Sequence, residues 1–266
     1  MTQSKLLPAL LKHHRHARGM SQLDLASAAD VSPKHLSFLE TGRAKPSREM
    51  VLRLGATLAL SLRDQNALLA AAGFTETFKE TAVEELPPMI RGALERMLAA
   101  HEPYPLVVCD GSYNLRMLNH GASTLLKTLV PKLASATTLN VLELCFDPEG
   151  LRPYFENWEQ TALFLLQRLT REHLASGRPA LALLRSRLLA YPDLPSKLRD
   201  VDLAAALGPV LEVRFRLRDQ RLGFLTTITA FSAPQDVTLE ELRIESYYPL
   251  DDATARMCEL LSGKRA

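Results

Sequence analysis

Residues 22–43 read QLDLASAADVSPKHLSFLETGR, and the organisation of the chain follows from how this stretch folds. Ser21 sits before it as a helix cap, with Asp24 in the reciprocal position three residues later. A helix over about Gln22 to Ala29 would turn Leu25, Ala26 and Ala29 inward, and the two alanines allow a second helix to approach closely. Asp30 falls where a tight turn needs positive φ, which Asp tolerates better than most residues. Val31 plugs the turn, Ser32 caps the next helix, and Pro33 takes its first position, where no N–H is missed. Leu36 and Leu39 point back at the first helix and Gly42 stops the second.

The pattern predicts a helix-turn-helix with Pro33 to Glu40 as the recognition helix. Lys34, His35, Ser37, Phe38 and Thr41 face outward. Lys34 and His35 suit guanine edges or phosphate, Ser37 and Thr41 suit bases or backbone, and Phe38 suits a thymine methyl or the next helix. Gln22, at a helix N-terminus, and Arg43 and Lys45, beyond the second helix, suit phosphates. The alternative reading is a helical hairpin with a solvated basic face, but both caps and the turn spacing agree on the motif.

The stretch from Ser32 to Leu60, SPKHLSFLETGRAKPSREMVLRLGATLAL, resembles the Xre/Cro/λ-repressor class of DNA-binding domains and, more specifically, the MmyB-like transcription regulators. In that class an arginine on the opening helix pairs with the glutamate that ends the recognition helix, and Arg15 and Glu40 match those places. The second half carries the same resemblance in HEPYPLVV, in FENWEQTA and in SAPQDVTLEELRIESYYPLDDAT. It implies a PAS-like small-molecule sensor behind the head, with a lipophilic ligand such as a fatty acid as the favoured case.

A chain of 266 residues, 47% hydrophobic and 23% charged, is long enough for two cores. The net charge of +2 is uneven: residues 1–80 carry 11 Lys/Arg against 7 Asp/Glu, and the remainder 21 against 23. A basic head on a slightly acidic body fits DNA binding by the head. The three cysteines, Cys109, Cys145 and Cys258, are far apart and odd in number, which suits a reducing cytoplasm and no disulfide framework. The absence of a signal-peptide core or spanning apolar run points the same way.

The expected fold class is α+β in two domains. An all-α, λ-repressor-like head of five helices covers 1–73. A linker and connecting helix cover 74–103, and a PAS-like five-stranded antiparallel sheet with helices over one face covers 104–266. The opening helix is read over Gln3 to Arg18, with Leu6, Leu7, Leu10 and Leu11 as its apolar stripe. Its His13-His14-Arg15-His16 end is read as solvated or phosphate-facing rather than as a metal site. Strands are expected near Leu106 and Asn114, then over Pro209 to Arg218, Arg221 to Ser232 and Glu241 to Pro249, with the apolar Arg221 strand as a central, non-edge strand.

Pocket candidates are Met117 and Asn119 at the end of the second strand, Trp158 on a long helix, and Phe224 and Thr226 on the apolar strand. Each also has a plain packing role, and Asn119 also suits a helix cap. Arg214 is placed on the outer face by strand alternation. No nucleophile elbow, phosphate-binding glycine loop or metal-ligand cluster argues for an enzyme or a cofactor, and Asp251-Asp252 reads as a solvated loop or cap. The expected protein is a homodimeric operator-binding regulator whose C-terminal domain senses a small apolar ligand. The alternatives are a C-terminal domain that only dimerises or binds a protein partner, and a hydrolase body.

Overall fold

The computed structural model describes residues 6–132, 139–200, 202–204 and 210–263. The chain divides into two compact units, residues 1–81 with 232–240 and residues 82–231 with 241–266. The first unit therefore runs past 73 and takes in a segment from late in the sequence.

In the first unit five helices form one core: α1 (Leu6–Ala17), α2 (Gln22–Ala28), α3 (Pro33–Glu40), α4 (Arg48–Thr57) and α5 (Leu62–Ala71). Leu25, Leu36, Leu39, Leu54, Leu58 and Leu69 are almost fully buried in it. Ser21, Ser32 and Ser47 each accept the backbone N–H three residues on, and Ser21 with Asp24 completes a reciprocal capping box. Asp30 adopts φ 52°, so the turn between α2 and α3 is made without glycine. The stripe on α1 differs from the expected one. Leu7, Leu11, His14 and Arg15 are buried, whereas Leu6 is exposed. Positions 7, 11, 14 and 15 share a helical face, so His14 and Arg15 continue the inner stripe and the end of α1 is not wholly solvated.

Residues 75–81 and 232–240 are held against this core. Asn66 donates to Phe78 O at 2.7 Å and accepts from the N–H groups of Thr77 and Phe78. Thr81 donates to the Asp236 carboxylate at 2.6 Å, and Val237 N–H donates to Lys79 O at 2.8 Å. Val237 is buried and opens a short helix, Val237–Glu241.

The second unit begins with a 3-10 turn, Val83–Glu85, and helix α6 over Pro88–Ala100. Its sheet contains β1 (Leu106–Cys109), β2 (Leu115–Leu118), β3 (Glu212–Leu217), β4 (Gln220–Thr229) and β5 (Arg243–Pro249), in the order β2-β1-β5-β4-β3 with antiparallel pairing throughout. This confirms the α+β, five-stranded plan, and β4 lies inside the sheet between β5 and β3, as its apolar run suggests. β5 is the middle strand of the five. The C-terminal half of β4 is largely exposed, so its apolar run reports burial only over Leu222 to Phe224.

Helices His120–Leu129, Val141–Phe146, Trp158–Ser176 and Pro179–Ala190 supply the side chains that pack with Val213, Phe215, Leu222 and Phe224 on one face of the sheet. They are called α7, α8, α9 and α10 below. Leu106, Val108 and Ile244 on the opposite face are buried as well, so around β1 and β5 neither face is open. A 3-10 turn at Ser196–Leu198 follows α10.

Candidate nucleic-acid interface and ligand cavity

The recognition helix is fixed from below by one buried ion pair. Arg15 Nε donates to Glu40 Oε1 at 2.7 Å and Arg15 Nη2 to Glu40 Oε2 at 2.9 Å. Arg15 Nη1 closes on Met20 O at 2.8 Å, and Gln22 Nε2 donates to Glu40 Oε2 at 2.8 Å. Burial raises the Glu40 pKa, but the bonds from Arg15 and Gln22 outweigh it and hold the carboxyl below its ordinary value. The fork–fork geometry ties the start of α2 and the end of α3 to α1. Gln22, considered as a phosphate contact, is thus also a strut of the helix pair.

On the outer side of α3, Lys34 and Thr41 are exposed, and His35, Ser37 and Phe38 are half-buried. Lys34 Nζ lies 5.8 Å from the Phe38 ring centroid, which pre-positions the ammonium. Thr41 Oγ1 donates to Ser37 O at 2.8 Å, so that hydroxyl keeps acceptor capacity only. Arg43 N–H closes the helix on Phe38 O at 2.8 Å, and the side chains of Arg43 and Lys45 stand exposed just beyond it. Exposed cations therefore flank the helix, Lys34 at its start and Arg43 and Lys45 just past its end, and such groups suit phosphates and base edges.

The second unit contains an apolar cavity of about 80 Å³. Pro105, Val107, Leu118, Leu125, Phe215 and Tyr247 are among the residues that line it. None of Met117, Asn119, Trp158, Phe224 and Thr226 does so among the described residues. Asn119 is instead the cap of α7: its Oδ1 accepts from Ala122 N–H at 2.9 Å and Leu106 N–H at 3.0 Å. Trp158 Nε1 donates to Cys145 O at 2.9 Å and its ring lies under the Arg152 guanidinium. Phe224 is fully buried against Phe215 and Tyr247, one layer behind the lining, and Thr226 donates to Leu211 O at 3.3 Å. Met117 pairs with Val108, and therefore shares the opposite face of the sheet.

The sequence reading missed a partly buried polar cluster between α9 and the sheet. Tyr113 Oη and Arg243 Nη2 donate to Glu172 Oε2 at 2.8 and 2.7 Å. Arg168 stacks over the Tyr113 ring at 5.2 Å and stands 4.0 Å from Glu245. The signal was present in two periodicities. Arg168 follows Thr161 and Leu165 on the inner face of α9, and Arg243, Glu245 and Tyr247 alternate onto one face of β5. Cys109, Cys145 and Cys258 are buried free thiols, and burial pushes Cys145 and Cys258 up to about 12. Arg214 pairs with Glu212 on the outer face, and Asp251 caps the helix Asp252–Leu261. Among the described residues no group of three or more His, Cys, Asp or Glu side chains could hold a metal, and no helix is long and apolar enough to cross a membrane.

Two family models match separate stretches of the chain. A family described as a helix-turn-helix domain matches residues 7–69, and one described as the MmyB-like transcription regulator ligand binding domain matches residues 90–261. The chain is also 39% identical over 54 residues to the HTH-type transcriptional regulator DdrOP3 of Deinococcus deserti, a match that spans 20% of this chain and 42% of that protein. A capped helix pair built for DNA and a sheet domain with an apolar cavity thus coincide with the two matched regions, and the chain belongs to the MmyB-like transcription regulators, with a DNA-binding helix-turn-helix head and a ligand-binding domain.

Proposed function

We propose that the ligand-binding domain senses a small lipophilic molecule and that its occupancy modulates operator binding by the head. The cavity of about 80 Å³ carries this reading, because nearly all of its lining side chains are apolar. Fatty acids are the ligand class to which the resemblance points. Pockets for drug-sized ligands run to about 300–1,000 Å³, so an occupant longer than a short acyl segment requires α7 or α8 to move outward. That requirement supplies the differential affinity between two states without which a ligand shifts nothing.

In this reading Lys34, His35, Ser37, Phe38 and Thr41 address the major groove, and Gln22, Arg43 and Lys45 hold phosphates. The protein acts as a cytoplasmic homodimer, because one head offers few base contacts and half-sites about one helical turn apart are the usual remedy. The test is mass spectrometry of an organic extract of the purified protein, against a heat-denatured control from the same host, followed by operator titration with and without the molecule found. A stoichiometric apolar molecule that changes operator affinity by at least about fivefold is expected. Operator affinity indifferent to that molecule overturns the sensing role.

A further inference from the structure

The turn between β1 and β2 is held from two sides. On one side it is tied to a wall of the cavity, because Val141 and Leu144 on α8 both line that space. Val141 N–H donates to Tyr113 O at 2.9 Å. Asn140, the cap of α8, donates from Nδ2 to Ser112 O at 2.8 Å and to Asn114 Oδ1 at 3.1 Å. Leu115, which also lines the cavity, donates its N–H to Leu139 O at 2.7 Å. An outward movement of α8 therefore either carries residues 112–115 with it or breaks these bonds.

On its other side the same turn is packed against Glu241. A Cβ at Gly111 would stand 2.6 Å from Glu241 Oε2 and 2.8 Å from Glu241 Cβ. Arg178 closes the contact, with Nη1 3.2 Å from Gly111 O and 3.2 Å from Glu241 Oε1. Arg243 Nη1 spans Asp110 O and Glu241 O, each at 3.4 Å. Packing this close transmits a displacement rather than absorbing it.

Glu241 ends the helix Val237–Glu241, and the chain passes from one unit to the other between Glu240 and Glu241. Within the first unit the preceding residues are anchored in turn. Asp236 accepts from Thr81, Val237 N–H donates to Lys79 O, and Glu240 accepts from Leu62 N–H at the start of α5. The last anchor on the head and the residue against which the turn packs are thus neighbours in the chain.

We propose that residues 110–114 and the helix Val237–Glu241 form the switch that carries cavity occupancy to the head. An occupant that pushes α8 outward draws on the turn, the turn shifts Glu241, and the helix changes its hold on Leu62 and Thr81. α5 shares a core with α1, and α1 holds the recognition helix through Arg15 and Glu40. This rests on the reading of the cavity as the ligand site and supplies the route of its regulation. The ligand acts because it binds the two arrangements of this route with different affinity.

The experiment inserts two glycines between Glu240 and Glu241 of the full-length protein, which adds about 7 Å of slack where the chain crosses. Decanoate binding is measured by calorimetry, and operator affinity by fluorescence anisotropy with and without saturating decanoate. In the wild type decanoate is expected to change operator affinity by at least about fivefold. In the insertion variant decanoate affinity and decanoate-free operator affinity should each stay within about twofold of wild type, while the effect of decanoate on the operator falls below about twofold. Glu240→Gln keeps the side-chain shape and weakens the hold on Leu62, so it should give a smaller loss of the same kind, and it decides the matter if the insertion does not fold. A full decanoate effect in the deciding variant overturns the switch and leaves the sensing role standing. Wild-type operator affinity indifferent to decanoate overturns both readings.

Discussion

Arg15 and Glu40, 25 residues apart, meet through two parallel N–H···O bonds of 2.7 and 2.9 Å in the interior of the head. A buried pair of this kind is dangerous to halve, because the survivor keeps its desolvation cost and loses its partner. Arg15→Ala is expected to destabilise the head by about 3–5 kcal/mol, whereas the double replacement Arg15→Met with Glu40→Leu should cost far less. Chemical denaturation monitored on the head helices distinguishes the two. Equal losses would show that packing, not charge, holds α1 to α3.

The same pair has a pH signature. The folded Glu40 carboxyl lies below its ordinary value, so its contribution is present above the unfolded value of about 4.3 and is lost as pH falls through the folded one. Thermal unfolding of the head should therefore move to lower temperature on acidification below about pH 4.5. Glu40→Gln should flatten that part of the profile. A mutant profile as steep as the wild type's assigns the acid sensitivity elsewhere.

Lys34→Ala with His35→Ala is expected to abolish operator preference while leaving the melting temperature within a degree or two, since neither side chain is buried. Arg43→Ala and Lys45→Ala should instead weaken binding to all sequences alike, each lowering the slope of log affinity against log salt by about one. Footprints on operator and on unrelated DNA over a salt series separate the two classes. A salt slope unchanged in both variants would remove Arg43 and Lys45 from the phosphate contacts.

Leu126, half-buried on the cavity wall, offers a way to fill the space. Leu126→Trp should cost about 1–3 kcal/mol or less and eliminate capture of an apolar molecule, leaving operator affinity insensitive to it. Extraction and operator titration of this variant report both effects together. Undiminished ligand capture would place the ligand in another part of the domain.

Leu62 N–H, at the start of α5, donates to Glu240 Oε2 at 2.7 Å. Glu240→Ala is expected to raise the exchange rate of the Leu62 amide hydrogen severalfold, with little change at Leu25 or Leu36 in the core. An unaltered Leu62 rate would mean that another acceptor holds that group.

The head was legible because its instructions are local. Ser21, Asp24, Asp30, Ser32 and Pro33 each act within a few residues of their own position, and the structure uses each in the role that its chemistry suggests. The cavity was not legible because its walls are mostly leucines and valines, with Phe215 and Tyr247, the same residue types that fill an ordinary core. The large aromatics Trp158 and Phe224 drew attention by size, yet size is what packs them away from the space. β4 was legible as an interior strand through Leu222, Phe224 and Leu225. β5 concealed its central place by burying Glu245 on one face and Ser246 on the other, polar residues that composition alone assigns to solvent. The segment 232–240 was read as part of a family signature, and its attachment to the head depends on the partners Lys79 and Thr81, more than 150 positions earlier, which no local pattern encodes.

That attachment bears on how such a regulator can be recombined. The backbone passes from one unit to the other three times, at 81–82, 231–232 and 240–241. A chimera made by splicing a foreign head at one junction therefore inherits an orphan: segment 232–240 would return with Asp236 and the buried Val237 and find no matching surface. Exchanging operator specificity between relatives with this connectivity calls for transplanting the two pieces together, or for confining the swap to the outer residues of α3. In that sense the reading head is stitched into its partner domain rather than appended to it.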